Sequence, residues 1–195
     1  MANQIESLME RIKGLENELI QELQKKQAEF YYEVKRKKVR FEREVRKHHK
    51  TLAKTLRGYL REAAFLNILT APVIWFCLIP GLFLDISITF YQAICFPIYK
   101  IPRVKRSDYI VIDRQNLGYL NGIEKLNCVY CGYFNGLVAY VQEVVARTEQ
   151  YWCPIKHARK LQTIHNRYRH FLEFGDAEGY QENIEKVRRD FKNLS

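Results

Sequence analysis

Three of the five cysteines and one histidine are spaced as a ligand set. Cys128-Val129-Tyr130-Cys131 is followed, after a 21-residue gap, by Cys153-Pro154-Ile155-Lys156-His157. A C-x2-C pair with a later C-x3-H offers three thiolates and an imidazole, the soft donor set that suits Zn²⁺. Pro154 fits the first position of a helix, and Cys153 and His157 then share a face at i and i+4. Other chemistry fits the same residues. An iron–sulfur cluster takes thiolates with a different fourth ligand, and Cys128/Cys131 alone can be a redox dithiol. Unligated, incidental cysteines are the plain alternative. Cys77 and Cys95 lie in apolar sequence and are expected to be small buried hydrophobes.

The elements needed to position this set can be read from periodicity. Leu137, Val138, Val141, Val144 and Val145 recur with helical spacing, and Gly132, Asn135 and Gly136 before them are expected as a flexible turn. The plan is a knuckle, a helix, a short break and a second helix, folded back so that Cys153 returns to Cys131. Glu149, Cys153 and His157 fall at i, i+4 and i+8, so Glu149 is a candidate to orient a ligand or act as a base, with a plain helix-surface charge as the commoner reading. His165 and His170 lie outside the ligand spacing. There is no Gly-rich phosphate loop, no Ser/His/Asp arrangement and no recognisable catalytic carboxylate pair. A non-enzymatic role is therefore favoured and no reaction is specified.

Charge divides the 195 residues, net +10, into three parts. Residues 1–62 carry 16 basic and 10 acidic residues, and residues 100–195 carry 16 and 11. Residues 63–99 carry one charge, Asp85. An almost uncharged block between basic flanks is a membrane signature, and its position and length set it apart from a signal peptide. At 13% aromatic, with nine Gly and five Pro, the chain is neither a disordered polar tail nor collagen-like.

Pro80-Gly81 sits near the middle of the block, with arms of 17 and 18 residues, each about 26 Å long as helix. Arg57 and Arg61 precede the block, and Lys100, Arg103, Lys105 and Arg106 follow it. Basic residues at both ends favour both ends being cytoplasmic, so the expectation is a tight hairpin or re-entrant segment over 63–99. Asp85 is expected near the turn, reaching the far interface, and Trp75, Tyr91 and Tyr99 are candidate interface anchors.

Residues 1–62 read as one long basic amphipathic helix. Ile5, Leu8, Ile12, Leu15 and Leu19 are spaced 3-4-3-4, a coiled-coil-like stripe that suits pairing with another helix or a homo-oligomer through residues 5–60. The dense basic run over 35–50 is expected to face anionic lipid head groups, at about 1 kcal/mol per cation near the surface. A solvated face is the next reading, and nucleic acid the weakest. At the other end, Gly175-Asp176 reads as a stop and a cap. A helix with the stripe Tyr180, Ile184, Val187 and Phe191 follows it, and one with Leu161, Ile164, Tyr168, Phe171 and Leu172 precedes it. Tyr109–Ile112 is the best strand candidate.

Four stretches carry a resemblance: Phe90–Tyr99, Val104–Tyr109, Leu126–Cys131 with Asn135-Gly136, and Arg147–His157. In them the chain resembles uncharacterised bacterial membrane proteins over its last two thirds. The resemblance implies a bacterial inner-membrane location and marks Cys128, Cys131, Cys153 and His157 as a characteristic polar cluster. It implies no activity. The fold class expected is mainly α, with a helical cytoplasmic domain over 100–195. The function expected is a membrane-anchored binding or scaffolding module with a structural zinc site, or alternatively a membrane redox or metal-handling protein using the same cluster.

Overall fold

The computed structural model describes residues 2–30, 32–35 and 38–192, with the side chains of 2–6, 8–10, 13, 35 and 38 outside that description. The chain is mainly helical. Residues 1–61 with 113–128 form one compact unit, and residues 62–112 with 129–195 form another.

In the first unit, α1 (Ala2–Glu29) ends well short of the single helix expected over 1–62. Strands β1 (Tyr32–Lys35) and β2 (Lys38–Phe41) follow as an antiparallel pair, with Tyr32 opposite Phe41 and Val34 opposite Val39. Aromatic and β-branched residues at alternate positions explain the change, because they suit a pleated ribbon better than a helix. Helices α2 (Arg43–Leu52) and α3 (Leu56–Glu62) complete the segment. Arg36 and Lys37 of the basic run lie outside the described residues, as do the side chains of Ile5 and Leu8. Ile12, Leu15 and Leu19 of the α1 stripe are exposed. Rings of Tyr32, Phe41, His49 and Tyr119 follow one another at 5.2–5.6 Å between centroids. Gly118 is required beside them, since a Cβ there would lie 2.9 Å from that of His49. Asn121 and Glu124 then form a reciprocal cap for the next long helix: Asn121 Oδ1 accepts from the Ile123 and Glu124 amides at 3.0 Å, and Glu124 accepts from the Asn121 amide at 2.9 Å.

The second unit is built on two helices running side by side in the same direction. The apolar block forms α4 (Phe65–Phe76) and α5 (Leu78–Tyr99), joined through the helical backbone of Cys77. No hairpin forms at Pro80-Gly81, because both residues lie in the first turn of α5. Proline is tolerated there, where its missing N–H has no helical partner to lose. Helix α7 (Gly122–Trp152) lies alongside: Asp85 meets Tyr133, Gln92 meets Tyr140 and Tyr99 meets Tyr151. Between them a return segment runs back along α5. It starts at Lys100, whose left-handed backbone (φ 57°) lets the Ile101 amide close on the Phe96 carbonyl at 2.8 Å. It includes α6 (Arg106–Tyr109), so the strand expected at Tyr109–Ile112 is replaced by a helical turn and extended chain.

Phe96, Ile101, Val104, Tyr133, Leu137, Tyr140, Val144 and Phe191 form the core. Helix α8 (Ala177–Arg189) begins where expected: Gly175 takes φ 87° and Asp176 caps the Gly179 amide at 2.9 Å. The helix expected over 161–172 does not form. A parallel bridge joins Ile155 to Leu172, and a short 3-10 turn spans Tyr168–His170.

Candidate functional site

The polar centre of the second unit is built around the one charge of the apolar block. Asp85 lies inside α5, 7% exposed, rather than at a turn reaching an interface. Its carboxylate accepts from Arg106 Nε at 2.9 and 3.2 Å and from Arg106 Nη2 at 2.5 Å. The Tyr133 hydroxyl donates to the same carboxylate at 3.0 Å. Burial and the adjacent Asp85 charge push the Tyr133 pKa up, so the phenol keeps the proton it donates. Asp85 in turn raises the already high pKa of Arg106.

Three elements supply this cluster: α5 the carboxylate, α6 the guanidinium and α7 the phenol. Two turns on, Gln92 pairs with the backbone of Val104 as a strand would. Its Nε2 donates to the Val104 carbonyl at 3.2 Å, and its Oε1 accepts from the Val104 amide at 3.0 Å. Gln92 also donates to the Tyr140 hydroxyl. Arg147 Nη1 donates to the Pro102 carbonyl at 2.7 Å, and its Nε to Glu143 at 2.7 Å. These side chains bind the return segment, whose backbone has no sheet or helix partner over most of its length. The arrangement is a closed latch. The Asp85 lone pairs are engaged by three donors, which leaves a poor base and a poor ligand.

The expected ligand set is not brought together. Cys128 and Cys131 lie on α7, and Cys153 follows its end. Because α7 runs on without a break, Cys131 and Cys153 are separated by about 33 Å at 1.5 Å per residue. Gly132 and Gly136, expected as a turn, are buried inside the helix. Gly136 serves close approach instead: a Cβ there would lie 2.7 Å from both Ile110 Cα and the Tyr109 carbonyl. The His157 amide donates to the Tyr168 hydroxyl at 2.7 Å and its ring stacks on Tyr168, while Glu149 pairs with His165 at 3.0 Å. Among the described residues no group of three or more His, Cys, Asp or Glu is placed to hold a metal ion. Cys77 is exposed rather than buried.

No family model, curated protein or solved structure matches the chain. The polar residues must therefore be read from their own contacts. Trp75, Tyr91 and Tyr99 pack on α7 through Tyr130, Thr148 and Tyr151 respectively. A second buried polar group, not evident from spacing, ties down the C-terminal segment. Arg167 donates to Gln150 and to the Asp190 carbonyl (3.2 Å), and lies 5.0 Å from the Phe191 ring centre. Burial lowers the Arg167 pKa from its ordinary value. Gln150 completes the group by donating to the Val187 and Asp190 carbonyls at 2.9 and 2.7 Å.

Proposed function

We propose that the chain is a membrane-anchored, non-catalytic module of the bacterial inner membrane that works by binding or scaffolding. One observation carries the reading. The helical run Phe65–Tyr99 is long and apolar enough to cross a membrane, and many of its large side chains are exposed. Phe65 is 75% exposed, Phe83 73%, Phe90 66% and Ile98 69%. Its polar stripe, Asp85 and Gln92, is turned inward and satisfied by the chain itself. An apolar surface of this extent is far beyond the patch of a few hundred Å² that a soluble monomer carries. The bacterial location rests on the family resemblance.

The run lies along one leaflet, with the exposed faces of α4 and α5 in the acyl region. Both basic flanks stay on one side, as their Lys and Arg content favours. Binding to partners falls to α1, whose Leu15, Leu19 and Leu23 are 64%, 60% and 51% exposed. A second copy or a partner helix is the natural cover for such a stripe. The latch chemistry and the separation of Cys131 from Cys153 support a structural role for the second unit, so a four-ligand zinc site forms no part of this reading.

The test is membrane fractionation with alkaline carbonate, combined with reporter fusions at residues 1 and 195. The expected result is retention in the membrane pellet, with release of the Leu69→Lys, Phe83→Lys variant and cytoplasmic signals from both ends. Wild-type chain in the soluble fraction overturns the anchoring. Signals from opposite sides replace the one-sided anchor by a crossing helix.

A further inference from the structure

The first unit holds a cationic cleft that the anchoring does not use. Its volume is about 530 Å³, in the range of small-molecule sites. Arg40 of β2, Arg46 and Lys50 of α2 and Lys125 of α7 line it, with the side-chain amides of Gln115 and Asn116. No carboxylate lines the cleft. None of the four cations has a carboxylate partner among the described residues.

We infer that this cleft binds a compact phosphate-bearing ligand. Arg46 and Lys50 sit one turn apart on α2, so their charges converge from one wall, while Lys125 approaches from another element. Converged cations without an acid repel one another, and a multivalent anion removes that penalty. Arginine adds a planar fork that matches two oxygens of one phosphate, and the amides donate to the remainder. The α7 N-terminus is already capped by Asn121 and Glu124, so side chains rather than the helix end make the site. A smaller recess of about 340 Å³ shares Arg46 and Lys50 and adds Arg43 and Lys47. Two adjoining cationic hollows suit a ligand with two phosphates better than one with a single charge. A phosphorylated lipid head group and a free phosphate compound share this chemistry. A short cleft with its cations gathered at one place fits either better than it fits a nucleic-acid strand, whose charges are spread along a line.

The proposal stands apart from the membrane anchor, because its soluble arm reads the cleft whether or not a bilayer is present. Full-length protein in a neutral detergent is titrated with inorganic pyrophosphate by calorimetry. In parallel, flotation is measured with phosphatidylcholine vesicles doped with phosphatidic acid, against vesicles of equal charge doped with phosphatidylserine. Wild type is expected to bind pyrophosphate. Arg46→Ala, Lys50→Ala should weaken it roughly thirty-fold, at the usual strength of two surface cations. Lys125→Gln, on a different wall, should weaken it about five-fold. Arg57→Gln, Arg61→Gln removes the same charge outside the cleft and should change nothing, and circular dichroism confirms the fold of each variant. Preference for phosphatidic acid that pyrophosphate competes away names the lipid as the source; pyrophosphate binding with no vesicle preference names a soluble ligand. The proposal falls if neither probe binds, if the control pair loses as much as the cleft pair, or if a single-stranded oligonucleotide binds more tightly than pyrophosphate through the same residues.

Discussion

Arg106 reaches back across the return segment to grip Asp85 with two guanidinium nitrogens, 21 residues away in sequence. The pair is asymmetric: the Asp85 side chain is 10% exposed and that of Arg106 45%. Removing the cation therefore strands a buried carboxylate, whereas removing the acid leaves an arginine that can turn to water. Arg106→Ala is expected to cost about 2 kcal/mol, below the 3–5 of a fully buried pair because Arg106 is half solvated. Asp85→Asn, which can still accept from Tyr133, should cost less. Denaturant titration of the two single variants and the double variant in neutral detergent measures the coupling. Strictly additive losses would show that the contact carries no energy.

Gly136 and Gly14 should respond to alanine with opposite signs. At Gly136 the added Cβ meets backbone 2.7 Å away, which has no rotamer to change. The return segment must move off α7, at about 1–3 kcal/mol. At Gly14 nothing lies within 4 Å, so Gly14→Ala should stabilise α1 by up to about 1 kcal/mol. Thermal melts followed by circular dichroism distinguish these outcomes. An unchanged melt for Gly136→Ala would show that this packing is not tight.

The same glycine shows where the sequence was readable and where it was not. Composition and charge segregation were enough for the mainly helical fold, the apolar run and the Gly175-Asp176 helix start, since each depends on local propensity or on a long window. The break expected at Gly132–Gly136 failed because glycine spacing is the same for a turn and for a close backbone approach; only the partner, Ile110, separates them. Pro80-Gly81 failed similarly, since proline starts a helix as readily as it ends one. The long N-terminal helix failed at residues 32–35 and 38–41, where alternation with period two overrides a stripe that had already become irregular. Asp85 was conspicuous as a lone charge, but its partner was one of four cations after the block. Gln92 and Gln150 gave no signal, because a glutamine that clasps backbone looks like any other.

Gln92 gives a sharper prediction than its burial alone. Its amide is the strand-like partner of Val104, whose own N–H and C=O have no other hydrogen-bond partner among the described residues. Gln92→Leu keeps the volume and leaves both groups buried without a partner, at about 1–3 kcal/mol. Hydrogen exchange locates the effect. The Val104 amide should lose protection in Gln92→Leu, while amides in α8 keep theirs. Uniform loss across the second unit would mean global destabilisation rather than release of the return segment.

The cysteines give the last prediction, and here geometry and sequence spacing disagree outright. Cys131 is exposed on α7, and Cys153 is exposed beyond its far end, with an unbroken helix between them. No rotamer change closes a gap of about 33 Å to the roughly 4 Å that two ligands of one zinc ion require. Cys131→Ser and Cys153→Ser should therefore leave the melting temperature and metal content unchanged. Both thiols should react with maleimide at the same rate with or without added zinc. One equivalent of zinc surviving dialysis against chelator, lost in either variant, would restore the four-ligand site and require α7 to break near Gly132.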